Sequence, residues 1–184
     1  MIGKRDRDKL GMIPKVSAHV EVGLNVLVLS DTHMPARARE LPVPVKEAVA
    51  KADLILHAGD LASEAVLADL ENHAPVVAVY GNVDVDELRK RLPRRVIVPI
   101  RQYRIGLIHG DGSWSSTMAR AAAAFANESV DCVVFGHSHQ PICERRLGVL
   151  FLNPGSPTDK RRQPKHSFAW LRPGTTLEAE LVYF

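Results

Sequence analysis

Five short apolar segments in this chain each stop at a polar residue of the kind that binds metal ions. The segments cover residues 24–29, 53–58, 75–80, 103–108 and 131–135. Buried strands of parallel sheets have this near-continuous apolar character. In an open α/β sheet, ligands bind just beyond the carboxyl ends of the strands. The pattern therefore predicts that the polar residues after these segments meet at one site.

The stretches between these segments predict an α/β chain. Helical patterns cover residues 45–52 and, after a predicted N-cap at Ser63, the stretch up to Leu70. This alternation of strand and helix is typical of a parallel sheet. A further helix is predicted at 116–128, and shorter strands at 96–100, 142–146, 149–152, 167–171 and 177–184. The sequence leaves open one mixed sheet or two stacked sheets, and it does not reveal the strand order.

Seven residues with oxygen or imidazole donors follow the five strands. They are Asp31, His33, Asp60, Asn82, His109, His137 and His139. Each one alone has an ordinary explanation, because an Asp after a strand usually forms a turn and a lone His is usually a satisfied polar residue. Their joint placement at successive strand ends favours a metal site. Donors without thiolate suit Mn²⁺, Fe, Zn²⁺ or Mg²⁺ and argue against a cysteine-based structural zinc site.

The number of candidate ligands restricts the site further. One catalytic zinc ion uses about three or four ligands, which is fewer than the set in this chain. Two ions that share one carboxylate would use such a set. His57 lies three residues before Asp60 and inside a predicted strand. We therefore assign His57 to packing or to support of the ligands.

Composition limits the other classes of function. A chain of 184 residues fits one domain with a sizeable core. The net charge is +3, but aromatic residues make up only 5% and the Lys and Arg residues are scattered, which does not favour a nucleic-acid binder. The densest basic group lies at 160–165. It is either a solvated face or a rim that attracts phosphate.

The chain gives few signals for targeting. No apolar run approaches the ~18 residues of a membrane span. Residues 1–23 are charged and lack the apolar centre of a signal peptide, so they are predicted to form an N-terminal extension before a domain at 24–184. Cys132 lies in an apolar run and is interpreted as a buried free thiol. A cytoplasmic location is expected.

The polar strand ends form five motifs in a fixed order. They are Asp31-x-His33, Gly59-Asp60, Gly81-Asn82-x-Asp84, His109-Gly110 and Gly136-His137-x-His139. This ordered set resembles the calcineurin-like metallophosphoesterase superfamily, and within it the small phosphodiesterases of the YfcE type. The later Leu152-Asn153-Pro154-Gly155-Ser156 segment is also similar to that branch. The resemblance extends from about residue 24 to the C-terminus.

The resemblance implies a fold and a division of the ligands. The fold would be an α/β four-layer αββα sandwich, with two mixed β-sheets flanked by helices. One metal ion would be held by Asp31, His33 and His139. The other would be held by Asn82, His109 and His137. Asp60 would bridge the two ions.

The resemblance also implies an activity, namely hydrolysis of a phosphodiester by attack of a metal-bridging hydroxide. Asp60 and Asn82 would serve the reaction as ligands, and Asp84 would orient a ligand or the loop backbone. The larger superfamily has a His after the Asn of the third motif, which assists the leaving group. This chain has Val83 there, which cannot donate a proton. Departure of the leaving group therefore has no assigned acid.

The expected cofactors are two divalent metal ions. Mn²⁺ is favoured, with Fe, Zn²⁺, Ni²⁺ and Mg²⁺ as alternatives. The expected partner is a small phosphodiester substrate and not a membrane, while nucleic acid stays open without being favoured. A homodimer also stays open. The competing interpretations are a non-catalytic metal-binding scaffold of the same fold, related to a retromer subunit, and a metal-dependent nuclease or phosphomonoesterase.

Overall fold

The structure is a computed structural model that describes residues 23–184. The predicted extension therefore lies, except for Gly23, outside the described residues. The strands are β1 (Val26–Leu29), β2 (Leu54–His57), β3 (Val76–Ala78), β4 (Arg95–Ile100), β5 (Tyr103–Ile108), β6 (Cys132–Val134), β7 (Ile142–Arg146), β8 (Val149–Asn153), β9 (Ser167–Pro173) and β10 (Leu177–Tyr183). The helices are α1 (Val43–Val49), α2 (Glu64–Glu71), α3 (Asp86–Arg91) and α4 (Thr117–Ala124).

The strands form two mixed sheets. The first has the order β10-β9-β1-β2-β3, and the second has the order β4-β5-β6-β8-β7. In the first sheet β1, β2 and β3 are parallel, and β9 and β10 add two antiparallel strands at one side. In the second sheet β5, β6 and β8 are parallel, with β4 and β7 antiparallel at the edges. The alternative of one continuous sheet is thereby excluded.

Alternation along β1 shows how the layers pack. Val26 and Val28 belong to the core between the two sheets, whereas Leu27 and Leu29 face the helices. Successive strand residues point to opposite faces, so a strand buried on both faces is apolar at every position. Helices α1, α2 and α3 cover the first sheet, and α4 covers the second. The predicted four-layer αββα sandwich is confirmed.

Sheet pairing places several loops at one end of the sandwich. The parallel strands of each sheet finish at a common edge, and the two edges meet. The Gly136 amide, after β6, donates to the carbonyl of His109, after β5 (3.1 Å). Nδ1 of His109 lies 2.7 Å from the carbonyl oxygen of Ala58 in the first sheet. The carboxyl ends of both sheets therefore border one shared space.

Some local predictions differ from the structure. Helix α3 was not predicted, because Leu88 is its one buried residue and a mainly charged segment lacks an apolar stripe. Ser63 occupies the N-cap of α2 but makes no side-chain capping hydrogen bond. Ser116 does cap α4, by accepting from the amide of Ala119 (3.2 Å). Among residues 23–184, no helix has the length and apolar content to cross a membrane.

Candidate metal centre

The structure brings all seven predicted ligands to the shared end of the two sheets. Asp31 and His33 follow β1, Asp60 follows β2, and Asn82 follows β3. The second sheet supplies His109 after β5 and both His137 and His139 after β6. All the oxygen donors thus come from the first sheet, and three of the four imidazoles come from the second.

The first group of donors is formed by Asp31, His33 and His139. Nε2 of His139 lies 3.3 Å from Oδ1 of Asp31 and 3.1 Å from Nε2 of His33. Nδ1 of His139 donates to the carbonyl oxygen of Asp159. Because that nitrogen is occupied, the Nε2 lone pair of a neutral His139 is free for a cation, as in many metal-binding histidines.

The second group of donors lies beside the first. Nε2 of His109 lies 3.2 Å from Oδ2 of Asp60 and 3.2 Å from Oδ1 of Asn82. Nδ1 of His137 lies 2.9 Å from the same Asn82 oxygen. Nδ1 of His109 is held by the Ala58 carbonyl, so Nε2 is again the nitrogen that faces the other donors.

Two carboxylates lie where the groups meet. Donor atoms of Asp31, His33 and His139 all lie within 4.8 Å of one another, and so do those of Asp31, Asp60 and His109. Oδ2 of Asp60 also lies 3.8 Å from Nε2 of His33. Carboxylate, amide oxygen and imidazole donors at these separations fit divalent transition metals. The geometry places Asp31 beside Asp60 as a second candidate for a shared ligand.

Five of the seven candidate ligands have an unusual backbone conformation. The φ angles lie between 45° and 65° for Asp31, His33, Asp60, His137 and His139. Residues other than glycine rarely adopt this left-handed region. Local strain of this kind persists where the surrounding structure holds it, and it is concentrated at functional sites. The left-handed conformation of these five residues accompanies the placement of their side chains at the shared end of the two sheets.

Two glycines permit the close approach of the loops. A Cβ atom at Gly81 would collide with the carboxylate of Asp60, and one at Gly136 would collide with the side chains of Ser30 and Asp31. Both glycines directly precede candidate ligands in the sequence. Steric crowding therefore explains why these two positions are glycine, because any side chain would push the carboxylates away from the imidazoles.

The protonation states of the buried carboxylates and imidazoles depend on their contacts with one another. Burial alone would raise the pKa of Asp31, but its hydrogen bond with His139 and the charges of His109 and His139 lower it to about 2. Burial alone would lower the pKa of His109, but its hydrogen bond with Asp60 and the charges of Asp31 and Asp60 raise it to about 9. The carboxylates are therefore ionised at neutral pH, and their negative charge favours a cation among them.

Asp84 supports the loops and does not face the donors. Its carboxylate accepts hydrogen bonds from the amides of Asp60 (2.9 Å), Gly81 (2.7 Å) and Ala62 (2.7 Å). Arg89 of α3 then donates to the backbone carbonyls of Asn82 and Asp84. Asp84 thus joins the loop after β2 to the loop after β3, and its contacts are those of a positioning residue.

His57 is buried beneath the site and is held as a neutral imidazole. Its Nδ1 accepts from the amide of Gly59 (3.2 Å), and its Nε2 lies 3.3 Å from the hydroxyl of Thr32. Burial lowers its pKa to about 4. The structure therefore places His57 under the loops after β1 and β2 and outside both donor groups, as its position in a strand indicates.

Comparison with known proteins identifies the family. A sequence model of the calcineurin-like phosphoesterase superfamily domain matches residues 24–175. This chain belongs to that superfamily. A probable metallophosphoesterase of Methanothermobacter thermautotrophicus is 37% identical over 84% of this chain and 90% of its own length. One of Methanocaldococcus jannaschii is 39% identical over 84% of this chain and 79% of its own length.

Solved structures of other proteins show the same architecture. A Thermotoga maritima protein has a TM-score of 0.69 at 28% identity, covering 88% of this chain and 99% of its own. Vps29 of Entamoeba histolytica, solved as a complex with Zn²⁺, has a TM-score of 0.69 at 25% identity, covering 87% and 99%. Family membership and the donor groups together support a metal-dependent phosphoesterase that uses divalent ions.

Several residues of this metallophosphoesterase support the site without having been singled out from the sequence. Ser156 donates to the Asp31 carbonyl (2.7 Å), and Thr158 donates to the Thr32 carbonyl (2.5 Å). Asn153 donates to the Gly136 carbonyl (2.9 Å). These residues lie in or beside the Asn-Pro-Gly-Ser segment, which was noted for its resemblance alone. Loop residues that bind backbone carbonyls carry no charge or spacing signal that would reveal this role.

The two sides of the metallophosphoesterase site have different surroundings. Beside His139, Arg37 pairs with Asp159 (3.2 Å), and Arg161 of the basic group donates to the carbonyl of His137 (3.4 Å). Beside Asn82 the side chain of Val83 is 46% exposed. Arg89 also donates to the carbonyl of Asn82 (2.6 Å), so both sides of the site carry charged residues, and the side near Asn82 has an exposed apolar side chain in addition.

Proposed function

We propose that this metallophosphoesterase is a phosphodiesterase that uses two divalent metal ions. The observation that carries the proposal is the pair of adjoining donor groups that share Asp31 and meet at Asp60. A single ion would leave part of this buried set of carboxylates and imidazoles without a partner. Asp31, His33 and His139 would hold one ion, and Asn82, His109 and His137 would hold the other, with Asp60 between them.

Two bound ions would lower the pKa of a coordinated water and neutralise negative charge on the phosphoryl oxygens. The protein supplies their spacing. Asp60 contacts donors of both groups, and its loop is fixed by Asp84 through the Asp60 amide. Asn82 supplies a neutral oxygen, which limits the negative charge near an anionic substrate. Mn²⁺ is our favoured metal because the carboxylate and amide oxygens of the set suit it.

The valine at position 83, where the larger superfamily has a His, favours substrates with good leaving groups. General-acid assistance typically contributes 10²–10⁴-fold to such reactions, and Val83 cannot supply it. We infer a preference for diesters with acidic alcohols as leaving groups. The exposed side chain of Val83 beside Asn82 would contact a second ester substituent, which a monoester lacks.

The test is hydrolysis by the full chain after chelation and reconstitution. Chelated protein should be inactive, and Mn²⁺ should restore hydrolysis of an aryl phosphodiester, with slower turnover of a matched alkyl phosphodiester. Full activity with metal loss confirmed by elemental analysis would rule out a metal-dependent reaction. Equal rates on aryl and alkyl diesters would contradict the leaving-group argument, and faster turnover of a monoester would contradict the substrate class.

The role of Asp60 is tested by metal content. The variant Asp60→Asn should lose occupancy at both sites, whereas Asn82→Ala should affect mainly one. Two ions at full occupancy in Asp60→Asn would contradict a bridging role. Metal content alone does not separate an enzyme from a non-catalytic metal-binding scaffold of the same fold. Hydrolysis of the aryl diester is the measurement that separates them.

A further inference from the structure

Trp114 is an exposed aromatic residue on the loop that follows candidate ligand His109. This loop, residues 110–116, connects β5 to α4. The Trp114 side chain is 59% exposed. An exposed indole presents a flat apolar face and an N–H group, both of which can contact a ligand.

The loop is held in place by a buried arginine. Arg120 of α4 is 8% exposed, and its Nε donates to the carbonyl of Gly110 (2.9 Å). One terminal nitrogen donates to the carbonyls of Trp114 (3.0 Å) and Ser115 (2.5 Å). A buried guanidinium needs such partners, and here carbonyls of the loop itself provide them. The backbone of Trp114 is therefore fixed while its ring faces solvent.

The loop lies beside the donor group of Asn82, His109 and His137. Gly110 directly follows His109 in the sequence, and both Arg120 and Asp111 interact electrostatically with His137. Asp111 also pairs with Arg94 (3.2 Å), which links this loop to the segment between Asn82 and β4. The exposed side chains of Val83 and Trp114 thus belong to loops that border the same half of the site.

This arrangement would suit a substrate with one planar aromatic substituent. The half of the site beside His139 has the ion pair of Arg37 and Asp159, which suits polar groups. Aromatic rings stack on an exposed indole with little dependence on the detailed ring, because every base or aryl group has a π-face. An aliphatic ester group would gain less from the same surface.

We propose that Trp114 is a specificity-determining residue whose indole stacks on an aromatic ester group of the substrate. The aromatic group is a nucleobase or a simple aryl ring. The inference rests on the proposed function, since it names the substrate class for that same site.

The first test measures binding without catalysis. The chain has two tryptophans, so a Trp170→Phe background makes Trp114 the one fluorescent indole. With the chain loaded with Mn²⁺, adenosine monophosphate or phenyl phosphate should quench Trp114 emission, and methyl phosphate should not. A response to adenosine monophosphate alone would identify a nucleobase subsite, and a response to both would identify an aryl subsite. No response to either aromatic phosphate would overturn the proposal.

The second test compares substrates in matched variants. In Trp114→Ala the ratio of kcat/KM for an aromatic diester over a dimethyl diester should fall about tenfold or more, through KM, and Trp114→Phe should restore most of it. The control Leu147→Ala removes another exposed apolar side chain, in the turn between β7 and β8 at the opposite end of the sandwich. An unchanged ratio in Trp114→Ala would overturn the proposal.

The two failures are distinguishable. If the reconstituted wild-type chain hydrolyses no phosphoester, the proposed function fails, whatever the fluorescence shows. If the chain hydrolyses diesters but aromatic phosphates do not change the fluorescence of Trp114, the proposed function stands and the stacking role fails.

Discussion

The Asp84 carboxylate accepts hydrogen bonds from backbone amides and holds two loops of the site together. Three N–H groups, from Asp60, Gly81 and Ala62, point at its two oxygens, and the side chain is buried. Hydrogen bonds to a charged acceptor contribute more than neutral ones. The residue is thus a means of fixing where Asp60 and Asn82 lie.

Replacing Asp84 by Asn should destabilise the protein. The amide keeps one acceptor oxygen and turns two N–H donors toward backbone N–H groups, leaving buried donors unsatisfied. We expect a loss of about 2–4 kcal/mol in the free energy of unfolding, measured by urea denaturation, together with weaker Mn²⁺ binding. Asp86→Asn, at an exposed residue in the first turn of α3, is the control. Equal stability of the two variants would contradict the positioning role.

His57 should make stability depend on pH. Its pKa is about 4 in the folded protein, below the usual value of 6.5, because burial disfavours the charged ring. The unfolded chain therefore binds a proton first as pH falls. The contribution of His57 is complete above about pH 6.5 and is lost progressively as pH falls toward 4, amounting to about 3 kcal/mol.

Imidazole chemical shifts of the metal-free chain check this directly, with His57→Gln to assign the signal. His57 should stay neutral to about pH 5, with the proton on Nε2, since Nδ1 accepts from Gly59. A titration midpoint near 6.5 would show that burial does not hold the ring neutral.

The candidate ligands could be found from the sequence because each follows an apolar strand and has a donor side chain. Ser156 and Thr158 could not be found in this way. Their partners, Asp31 and Thr32, are backbone carbonyls about 125 residues away. Nothing in local composition predicts a contact over that separation. The shared position of Asp31 between the donor groups was likewise not predicted, because it depends on how the two sheets meet.

The loop at 110–116 shows how a single side chain can fix an element that has no regular structure. Arg120 reaches carbonyls at both ends of the loop. A lysine can place only one compact charge there and lacks the planar fork of donors. The loop should therefore lose its fixed conformation when Arg120 is replaced by Lys.

We expect Arg120→Lys to lower the free energy of unfolding by about 2–3 kcal/mol and to make Trp114 emission, in the Trp170→Phe background, more accessible to a neutral quencher. Arg172→Lys is a matched control, because Arg172 is an exposed residue paired with Glu180 across β9 and β10. A variant of Arg120 that unfolds like the control would show that the loop is held by other contacts.

Elements differ in how well the sequence predicted them. The strands around the site are apolar at successive positions because both of their faces are buried. This apolar pattern is visible in the sequence alone and is sufficient to predict the strands. Helix α3 has one buried residue, Leu88, so its apolar pattern is too weak to detect. Its importance is local, since its Arg89 binds the loop of Asn82 and Asp84.

At the scale of the whole molecule, metal binding should stabilise both sheets together. A ligand that binds only the folded state stabilises it by about 2.7 kcal/mol at a hundredfold excess over Kd. For a domain of this size that corresponds to a rise in Tm of roughly 5–10 °C. We expect Mn²⁺ to produce this shift in the chelated wild type and not in Asp31→Asn.

Asp69→Asn, an exposed position in α2, serves as the control and should respond like the wild type. Thermal unfolding followed by circular dichroism is a suitable measurement. An Mn²⁺ shift of the same size in Asp31→Asn would mean that the ion binds elsewhere.

The order of the strands within each sheet could not be predicted from the sequence. β8 lies between β6 and β7, so β6 pairs with β8, which is not the next strand along the chain. Apolar character reveals that a strand is buried but not which strand it pairs with. The resemblance to a known family supplied the two-sheet arrangement that the pattern alone left open.

The division of donors between the sheets has a mechanical consequence. Oxygen donors belong to one sheet, and most imidazoles belong to the other. The apolar layer between the sheets is bridged by hydrogen bonds from His109 to the Ala58 carbonyl and from Arg145 to the Leu177 carbonyl. A relative displacement of the two sheets would change most of the oxygen-to-nitrogen distances at once. The spacing of the donors therefore depends on how the sheets are held together, and we expect substitutions in the apolar layer to alter metal affinity from a distance.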